Sequence, residues 1–321
     1  MNIYISISFF SFVLIFFYTF SKIVSDITYL YKKKDDFTPL VGGLGIFIFF
    51  FLGIINLYIL NSELITKNIH LLFLISIIFL IGIIDDILDL NYLIRLLYIF
   101  LVLIIFLKLD DRLVIYELYF ETFEKTYVLG KLSIFITAFF IILFLNSMNM
   151  ADGINGNSSL IFLSYIFILF ETNIILNDFL LLIFVSLIIF FIFNIKNKIY
   201  IGDSGIYFVS TFLALYTIYR YKYGINLLSC EKIFMTFMIP GIDMFRLFCK
   251  RIYNRKNPFK GDLNHLHHIL INKISINKTL LTYVALIIWP NMIYNLFEIQ
   301  PYYLIIINII IYSILINLLK R

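Results

Sequence analysis

Four polar clusters interrupt an otherwise apolar chain, and each consists of residues that bind cations or phosphates. They are the acidic pair Asp85-Asp86, the segment 146–153, the turn 202–205 and the histidine cluster 265–268. Carboxylate oxygens are preferred ligands of Mg²⁺, and the backbone N–H groups at a helix start attract anions. Each cluster stands beside the end of a hydrophobic segment. If these ends meet on one membrane face, they form a site for a metal ion and phosphate groups.

The pair Asp85-Asp86 stands at the end of an apolar run. Adjacent negative charges at a membrane edge are costly unless a cation or a ligand neutralises them. Both residues are therefore candidate catalytic groups. A solvated loop whose acids merely end the helix is the alternative interpretation.

Asn146, Asn149 and Asp152 recur at every third position before Gly153. On a helix this spacing places the three side chains along one flank. Carboxamides there can hold a uracil, a ribose or a sugar, and Asp152 can bind a metal ion or a hydroxyl group. Ordinary helix-end chemistry is the alternative, since Asn, Asp and Gly are favoured at such positions.

The turn Gly202-Asp203-Ser204-Gly205 stands where a helix is predicted to begin. The helix dipole and the N–H groups attract anions there, so the turn can accept a phosphate while Asp203 holds Mg²⁺. Asp and Ser are also favourable N-cap residues, and a simple cap is the alternative.

His265, His267 and His268 follow Lys260 in a basic segment. Imidazoles beside basic residues suit contacts to phosphate oxygens. Their spacing matches no standard zinc motif, and no cysteine stands near them. A basic loop attracted to anionic lipid headgroups is the alternative.

The composition requires that these clusters be positioned by membrane-spanning helices. The chain has 321 residues, of which 62% are hydrophobic and only 14% charged, and its mean hydropathy is +0.99. In a typical soluble domain, about a quarter of the residues are charged. Spanning segments must satisfy their own backbone polar groups, which favours helices over alternating strands here. Two cysteines make no disulfide framework, and no nucleic-acid motif is present.

The apolar runs predict an all-α polytopic membrane protein, a single domain over 1–321 with about eleven spans. The predicted spans are 2–21, 40–60, 70–84, 93–109, 132–148, 158–176, 178–193, 205–219, 232–247, 279–297 and 302–319. A short hairpin is predicted within 110–131. With the N-terminus outside, 17 of the 25 Lys and Arg residues fall on the face that carries the polar clusters. That face is therefore predicted to be cytoplasmic, together with the C-terminus.

Taken in order, these residues resemble the polyprenyl-phosphate N-acetylaminosugar-1-phosphate transferase superfamily, glycosyltransferase family 4. The resemblance is closest to the undecaprenyl-phosphate N-acetylglucosamine-1-phosphate transferase branch, which has eleven spans. It rests on Pro39 to Gly43, Asp85-Asp86, the run Asn146 to Gly153, Gly202 to Gly205, and Pro258-Phe259 through His268. The chain departs from that branch at Asn155, at Leu93 and at Asn157-Ser158-Ser159, which is more polar than the usual Gly/Leu-rich continuation. Asn155 stands where a second Asp is frequent, and Leu93 stands where a Lys is common, although Arg95 remains.

The resemblance implies transfer of an N-acetylated sugar-1-phosphate from a UDP-sugar to undecaprenyl phosphate, with release of UMP. This step starts lipid-linked cell-surface polysaccharides, O-antigen among them. It implies Mg²⁺ held by Asp203 and Asp86, with Mn²⁺ as the alternative ion, and Asp85 as proton acceptor or substrate-positioning group. Donor binding is expected at Asn146, Asn149 and Asp152, and phosphate binding at Lys260, His265, His267 and His268. The expected location is the bacterial inner (cytoplasmic) membrane with the site on its cytoplasmic face, and a homodimer is left open.

A secondary transporter or channel, with the aspartates as an ion path, is the alternative from another class. Such proteins place ionisable residues near the bilayer midplane, often in repeated halves. The acidic clusters of this chain stand at predicted helix ends, and no internal repeat is visible. Release of UMP from a UDP-sugar distinguishes the two functions.

Overall fold

The computed structural model describes residues 40–60, 62–172, 174–225, 228–258 and 262–320, together with six positions between 13 and 23. The predicted first span, 2–21, lies largely outside the described residues. Each later predicted span coincides with a helix. The helices are α1 (Gly42–Leu60), α2 (Ser62–Lys67), α3 (Ile69–Leu88), α4 (Tyr92–Leu109), α5 (Ser133–Ala151), α6 (Asn157–Leu169), α7 (Asn177–Asn194), α8 (Gly202–Tyr223), α9 (Cys230–Tyr253), α10 (Leu266–Ile271), α11 (Ile276–Phe297) and α12 (Pro301–Lys320).

Seven of the described helices are long and apolar enough to cross a membrane, by length and composition. They are α1, α3, α4, α5, α7, α11 and α12. The helix predicted over 158–176 ends earlier, at Leu169, because Phe170 adopts an extended conformation. At 1.5 Å per residue, the 13 residues of α6 extend about 20 Å, less than the thickness of a bilayer core. The architecture is an all-α polytopic membrane protein.

Helix α8 is the central helix, and every residue from Ser204 to Tyr219 is buried. It packs against α1, α3 and α5. Glycines permit the close approach: a Cβ at Gly43 would overlap the backbone of Gly205, and one at Gly82 would overlap that of Ser204. Gly42 and Gly43 also donate N–H bonds to Tyr200 O and Ile201 O, at 2.8 and 2.9 Å. The glycine pair of the sequence therefore serves helix packing and fixes the start of α8.

The hairpin predicted within 110–131 is confirmed. Strands β1 (Glu117–Phe120) and β2 (Lys125–Val128) pair antiparallel, with Glu117 opposite Val128. Its tip is tied to the first turn of α9, because the Glu231 carboxylate accepts the N–H groups of Glu121 and Thr122, each at 3.1 Å. Further along α9, Pro240 lies inside the continuous helix.

Because consecutive long helices run in opposite directions, their ends alternate between two faces. One face collects the C-terminal ends of α3, α5, α7 and α9 and the N-terminal ends of α4, α6, α8 and α11. All four polar clusters lie at these ends. The hairpin lies at the other face.

Candidate active site

Asp85 is a buried carboxylate at the C-terminal end of α3, with a side chain only 2% exposed. Its Oδ2 accepts hydrogen bonds from Arg95 Nη1 at 2.8 Å and from the Tyr207 hydroxyl at 2.9 Å. Its Oδ1 accepts the N–H of Leu90 at 3.0 Å. These bonds give the carboxylate one orientation, which is what a group that positions a substrate or accepts a proton requires.

Asp86 joins the end of α3 to the start of α8. Its Oδ1 accepts the N–H of Asp203 at 2.7 Å, and its Oδ2 accepts that of Ser204 at 3.1 Å. Two of the N–H groups that a helix start leaves without partners are thereby satisfied. Gly202 permits this arrangement, since its φ is +71° and a Cβ there would crowd the Asp86 carboxylate. Asp86 thus fixes the position from which the Asp203 side chain projects.

Arg95 lies between the carboxylates of two distant segments. Besides its bond to Asp85, its Nη1 is 3.8 Å from Asp203 Oδ2, and the Asp203 side chain is 29% exposed. One guanidinium therefore faces the carboxyl groups of Asp85 and Asp203. Asp86 adds a third carboxyl group beside them, so the cluster holds more acid than base. Such a cluster attracts a further cation.

A cavity of about 540 Å³ opens beside this acidic cluster. Its wall includes Asp86, Asn149, Asp152, Asn155, Asn194 and Asp203. Asn149 also lies 3.5 Å from the Tyr207 hydroxyl, through its Nδ2. Burial raises the pKa of Asp152 to about 6, and the Ser158 hydroxyl offsets only part of that rise. Asn146 lies elsewhere, because its Nδ2 donates to Ile142 O of the same helix at 3.0 Å.

Carboxamides fix the turn that forms one side of the cavity. Asn194 Oδ1 accepts the N–H of Gly156 at 2.6 Å, and its Nδ2 donates to Ile199 O at 2.9 Å. Asn157 Nδ2 donates to Ala151 O at 2.7 Å, and Asn155 Nδ2 donates to Asn197 Oδ1. The turn after α5 is therefore held from α7 and from the segment before α8, which keeps Asp152 beside the cavity.

The three histidines have different surroundings. His265 Nδ1 is 2.9 Å from Asp243 Oδ2, inside the protein. His267 is 1% exposed and packs on Gly153, where a Cβ would overlap His267 Nε2. Burial, with the neighbouring His268 and His265, lowers the pKa of His267 to about 3, so its ring is neutral near pH 7. His268 is partly exposed, and burial lowers its pKa as well. The remaining predicted phosphate ligand, Lys260, lies outside the described residues.

The donor set suits Mg²⁺, although no group of three His, Cys, Asp or Glu side chains in the described part of the chain forms a ready metal site. Mg²⁺ is usually held by one or two carboxylates together with substrate phosphates and water. Asp203 fits such a ligand, since it is partly exposed at the cavity wall beside two further carboxylates. Asp86 is the second candidate, and each of its oxygens already accepts one backbone hydrogen bond.

Two residues at this face were not selected from the sequence. Tyr207 stands one helical turn after Asp203, a spacing that places both on one side of α8. Asp243 stands within the predicted span 232–247, and an ionisable residue inside a span is by itself a signal of function. That second signal was available and would have identified Asp243.

The fold and the site together define a polytopic helical membrane protein with an acidic, carboxamide-rich cavity at one helix-end face. Residues 68–220 match the model of the family described as Glycosyl transferase family 4, and this segment contains Asp85, Asp86, Asn149, Asp152 and Asp203. The undecaprenyl-phosphate alpha-N-acetylglucosaminyl 1-phosphate transferase of Thermotoga maritima is 27% identical over 182 residues, which cover 55% of this chain and 56% of that protein. The alignment thus spans about half the length of the relative. Residues 68–220 are thus similar to glycosyl transferase family 4, over slightly less than half of the chain.

Proposed function

We propose that the protein transfers an N-acetylated sugar-1-phosphate from a UDP-sugar to undecaprenyl phosphate and releases UMP. The observation that carries this proposal is the convergence of Asp85, Asp86 and Asp203 from two distant helices beside a cavity lined by Asn149 and Asp152. The family match over 68–220 and the activity that names the Thermotoga maritima relative support the reaction class. O-antigen or another cell-surface polysaccharide is the proposed destination of the product.

In the proposed reaction, an oxygen of the lipid phosphate forms a bond to the sugar-bearing phosphorus of the donor. The bond from that phosphorus to the bridging oxygen breaks, and the bridging oxygen leaves with UMP. Two anions must approach each other, so charge stabilisation dominates the barrier. Bound Mg²⁺ would supply positive charge to the pyrophosphate, with Asp203 and Asp86 as its candidate ligands.

The chain's own residues have distinct proposed roles around this reaction. Asp85, oriented by Arg95 and Tyr207, positions the lipid phosphate or accepts its proton. A phosphate monoester has a second pKa of about 6, so the acceptor is mostly ionised near pH 7 and positioning is the larger part of this role. Asn149 and Asp152 orient the nucleotide-sugar from the cavity wall.

The acceptor's prenyl chain needs an apolar path that reaches the site. A groove of about 600 Å³ between α5, α8 and α9 is lined almost wholly by apolar side chains, among them Ile136, Phe140, Phe144, Phe237 and Phe245. It extends from the hairpin at Leu118 to Ser147, one turn before the end of α5. Apolar burial along this groove would offset the cost of ordering a long chain.

The test is a UMP-release assay in membranes that contain the protein, with several UDP-N-acetylaminosugars. We expect UMP from one donor only when undecaprenyl phosphate is present, and no release from an Asp85→Asn variant that inserts normally. Release that is independent of the lipid, or none with any donor, would reject the proposal. The transporter alternative predicts ion flux in sealed vesicles without UMP.

A further inference from the structure

Asp243 is a buried carboxylate of α9 that the proposed reaction leaves without a role. It is 2% exposed, and it lies outside the segment 68–220 that matches the family model. Both of its oxygens are fully engaged. Oδ1 accepts from the Tyr312 hydroxyl at 2.6 Å and from Arg246 Nη2 at 2.8 Å. Oδ2 faces His265 Nδ1 at 2.9 Å and accepts the N–H of Leu266 at 3.1 Å.

The carboxylate determines which ring nitrogen of His265 carries a proton. An ionised carboxylate only accepts hydrogen bonds, so the nitrogen that faces it must be a donor. His265 therefore has its proton on Nδ1, and Nε2 is the nitrogen that remains available for a second interaction. The same Oδ2 accepts the first N–H of α10, so Asp243 also fixes where that helix begins.

A line of contacts connects Asp243 with the cavity. The ring of His265 lies parallel to that of His267, with centroids 5.7 Å apart and an interplanar angle of 6°. His267 in turn packs against Gly153, which lines the cavity. Neither ring nitrogen of His267 has a hydrogen-bond partner among the described residues. A buried polar ring without partners is costly unless a ligand completes it.

The last helix takes part in this arrangement through Tyr312. Its hydroxyl donates to Asp243 and accepts from Arg246 Nε at 2.7 Å, while Arg246 Nη2 also donates to Asn264 O at 2.7 Å. Tyr312 is 2% exposed. Helices α9 and α12 and the segment before α10 therefore meet at one carboxylate.

We propose that Asp243, supported by Tyr312, is a positioning residue that fixes the proton of His265 on Nδ1 and holds His267 against Gly153 at the cavity wall. His267 is then placed to donate to, or accept from, a group of the nucleotide-sugar donor. This last step rests on the proposed function, whereas the placement of the His265 proton does not.

The first experiment measures the protonation of His265 directly. The chain has four histidines, so ¹⁵N-histidine labelling in lipid bilayers gives few signals, and an H265Q variant assigns the one of interest. We expect a protonated Nδ1 in the wild type and an unprotonated Nδ1 in D243N, because the Asn amide can donate to that nitrogen. An unprotonated Nδ1 in the wild type, or the same signal in D243N, would overturn the proposal. If D243N fails to insert, the wild-type signal alone still decides the pairing, since an unprotonated Nδ1 there overturns the proposal. Y312F keeps the carboxylate and removes one of its bonds, so it should leave Nδ1 protonated.

The second experiment measures kcat and the donor KM in the same variants. We expect D243N to lower kcat/KM by at least about tenfold, and D243E to restore part of it. The matched control is N308A, which removes two hydrogen bonds between α11 and α12: Trp289 Nε1 to Asn308 Oδ1, and Asn308 Nδ2 to Leu286 O. Its kcat/KM should stay within about twofold of wild type.

The two experiments separate the two proposals. A wild type without transferase activity rejects the proposed function while the ¹⁵N result still decides the Asp243–His265 pairing. An active wild type whose D243N variant changes the His265 signal but keeps full kcat/KM rejects a positioning role for Asp243.

Discussion

Asp86 holds Asp203 through the backbone: the N–H of Asp203 lies 2.7 Å from Asp86 Oδ1. The two acids stand 117 positions apart in the sequence, and α3 and α8 pack along each other between them. The Asp86 carboxylate thus sets the position of the Asp203 side chain before any ligand arrives. The two adjacent acids therefore have different surroundings: Asp85 faces Arg95, and Asp86 caps the first turn of α8.

Replacing Asp86 separates its helix-capping role from a metal-binding role. Asp86→Ala leaves two N–H groups of α8 without partners, which should cost about 1–2 kcal/mol of stability. We expect a lower Tm in detergent without divalent cations, and a loss of UMP release. Asp89→Asn is the matched control, since Asp89 is exposed with φ of 47°, a conformation that Asn also tolerates. An unchanged Tm for Asp86→Ala in the absence of metal would contradict the capping role.

Asp203 should be the residue most sensitive to loss of charge. Its carboxylate is partly exposed at the cavity wall and is the best candidate to hold the ion that stabilises developing charge. We expect Asp203→Asn to lower turnover by at least about two orders of magnitude. Chelation of divalent cations should abolish wild-type activity, and Mg²⁺ should restore it. Near-normal turnover of Asp203→Asn at low Mg²⁺ would exclude Asp203 as the ligand.

Gly153 should tolerate no larger residue. A methyl group there would overlap His267 Nε2, so Gly153→Ala must displace either the histidine or the cavity wall. We expect strongly reduced kcat/KM with normal membrane insertion. Gly53→Ala is the control, because its methyl would meet only the flexible end of Leu182, away from the site. Equal activities for the two variants would argue against a tight contact at Gly153.

The neutral state of His267 predicts a loss of stability in acid. Its pKa is about 3 in the folded protein, owing to burial and to His268 and His265, with Asp243 opposing the shift. An unfolded histidine titrates near 6.5, so below that pH only the unfolded state gains the proton. Between pH 6.5 and 5 this amounts to about 2 kcal/mol of lost stability.

Thermal unfolding in detergent at pH 7.5 and pH 5 measures that difference. The fall in Tm on acidification should be smaller in His267→Gln than in the wild type, since the variant lacks the titrating ring. An equal fall in both proteins would show that His267 is not the responsible group.

The predicted orientation can be tested by cysteine labelling on intact cells in a Cys249→Ser background. Leu263 and Phe123 are both exposed, and they lie at opposite faces of the helices. A membrane-impermeant reagent should label Phe123→Cys and spare Leu263→Cys until the membrane is opened. Labelling of both from outside would contradict a cytoplasmic site.

The gathering of the polar clusters could be predicted from the sequence because it follows from counting alternating helix ends. A position next to an apolar run was enough to predict which residues share this face, namely Asp85, Asn149, Asp152 and Asp203. The partners of Asp86 could not be predicted in this way, since a cap supplied by another helix depends on how α3 packs beside α8. The three-residue spacing likewise predicted that Asn146 and Asn149 line the same site. In the structure, the Asn146 side chain instead bonds Ile142 O of its own helix.

The histidine cluster shows a second limit of sequence reasoning. Three neighbouring imidazoles suggest one shared role, yet burial gives them three environments. Asp243 and Arg246 provided a signal, since opposite charges three residues apart within an apolar segment must be paired. The other side-chain partners of Asp243 are Tyr312 and His265, which stand 69 and 22 positions away from it in the sequence. Only the fold brings them together.

Helix α9 is anchored on both sides of Pro240. Its first turn holds the hairpin through Glu231, and its second half holds the histidines through Asp243. Proline lacks an N–H group, so the carbonyl one turn earlier loses its helical partner and the helix is weakest there. With both sections anchored, Pro240 is the position at which we expect α9 to bend most easily. Phe237 and Phe245, which line the apolar groove, stand on either side of Pro240. A prenyl chain that widens the groove would therefore bend α9 at Pro240. The second half of the helix would then move, together with the Asp243 carboxylate that contacts His265.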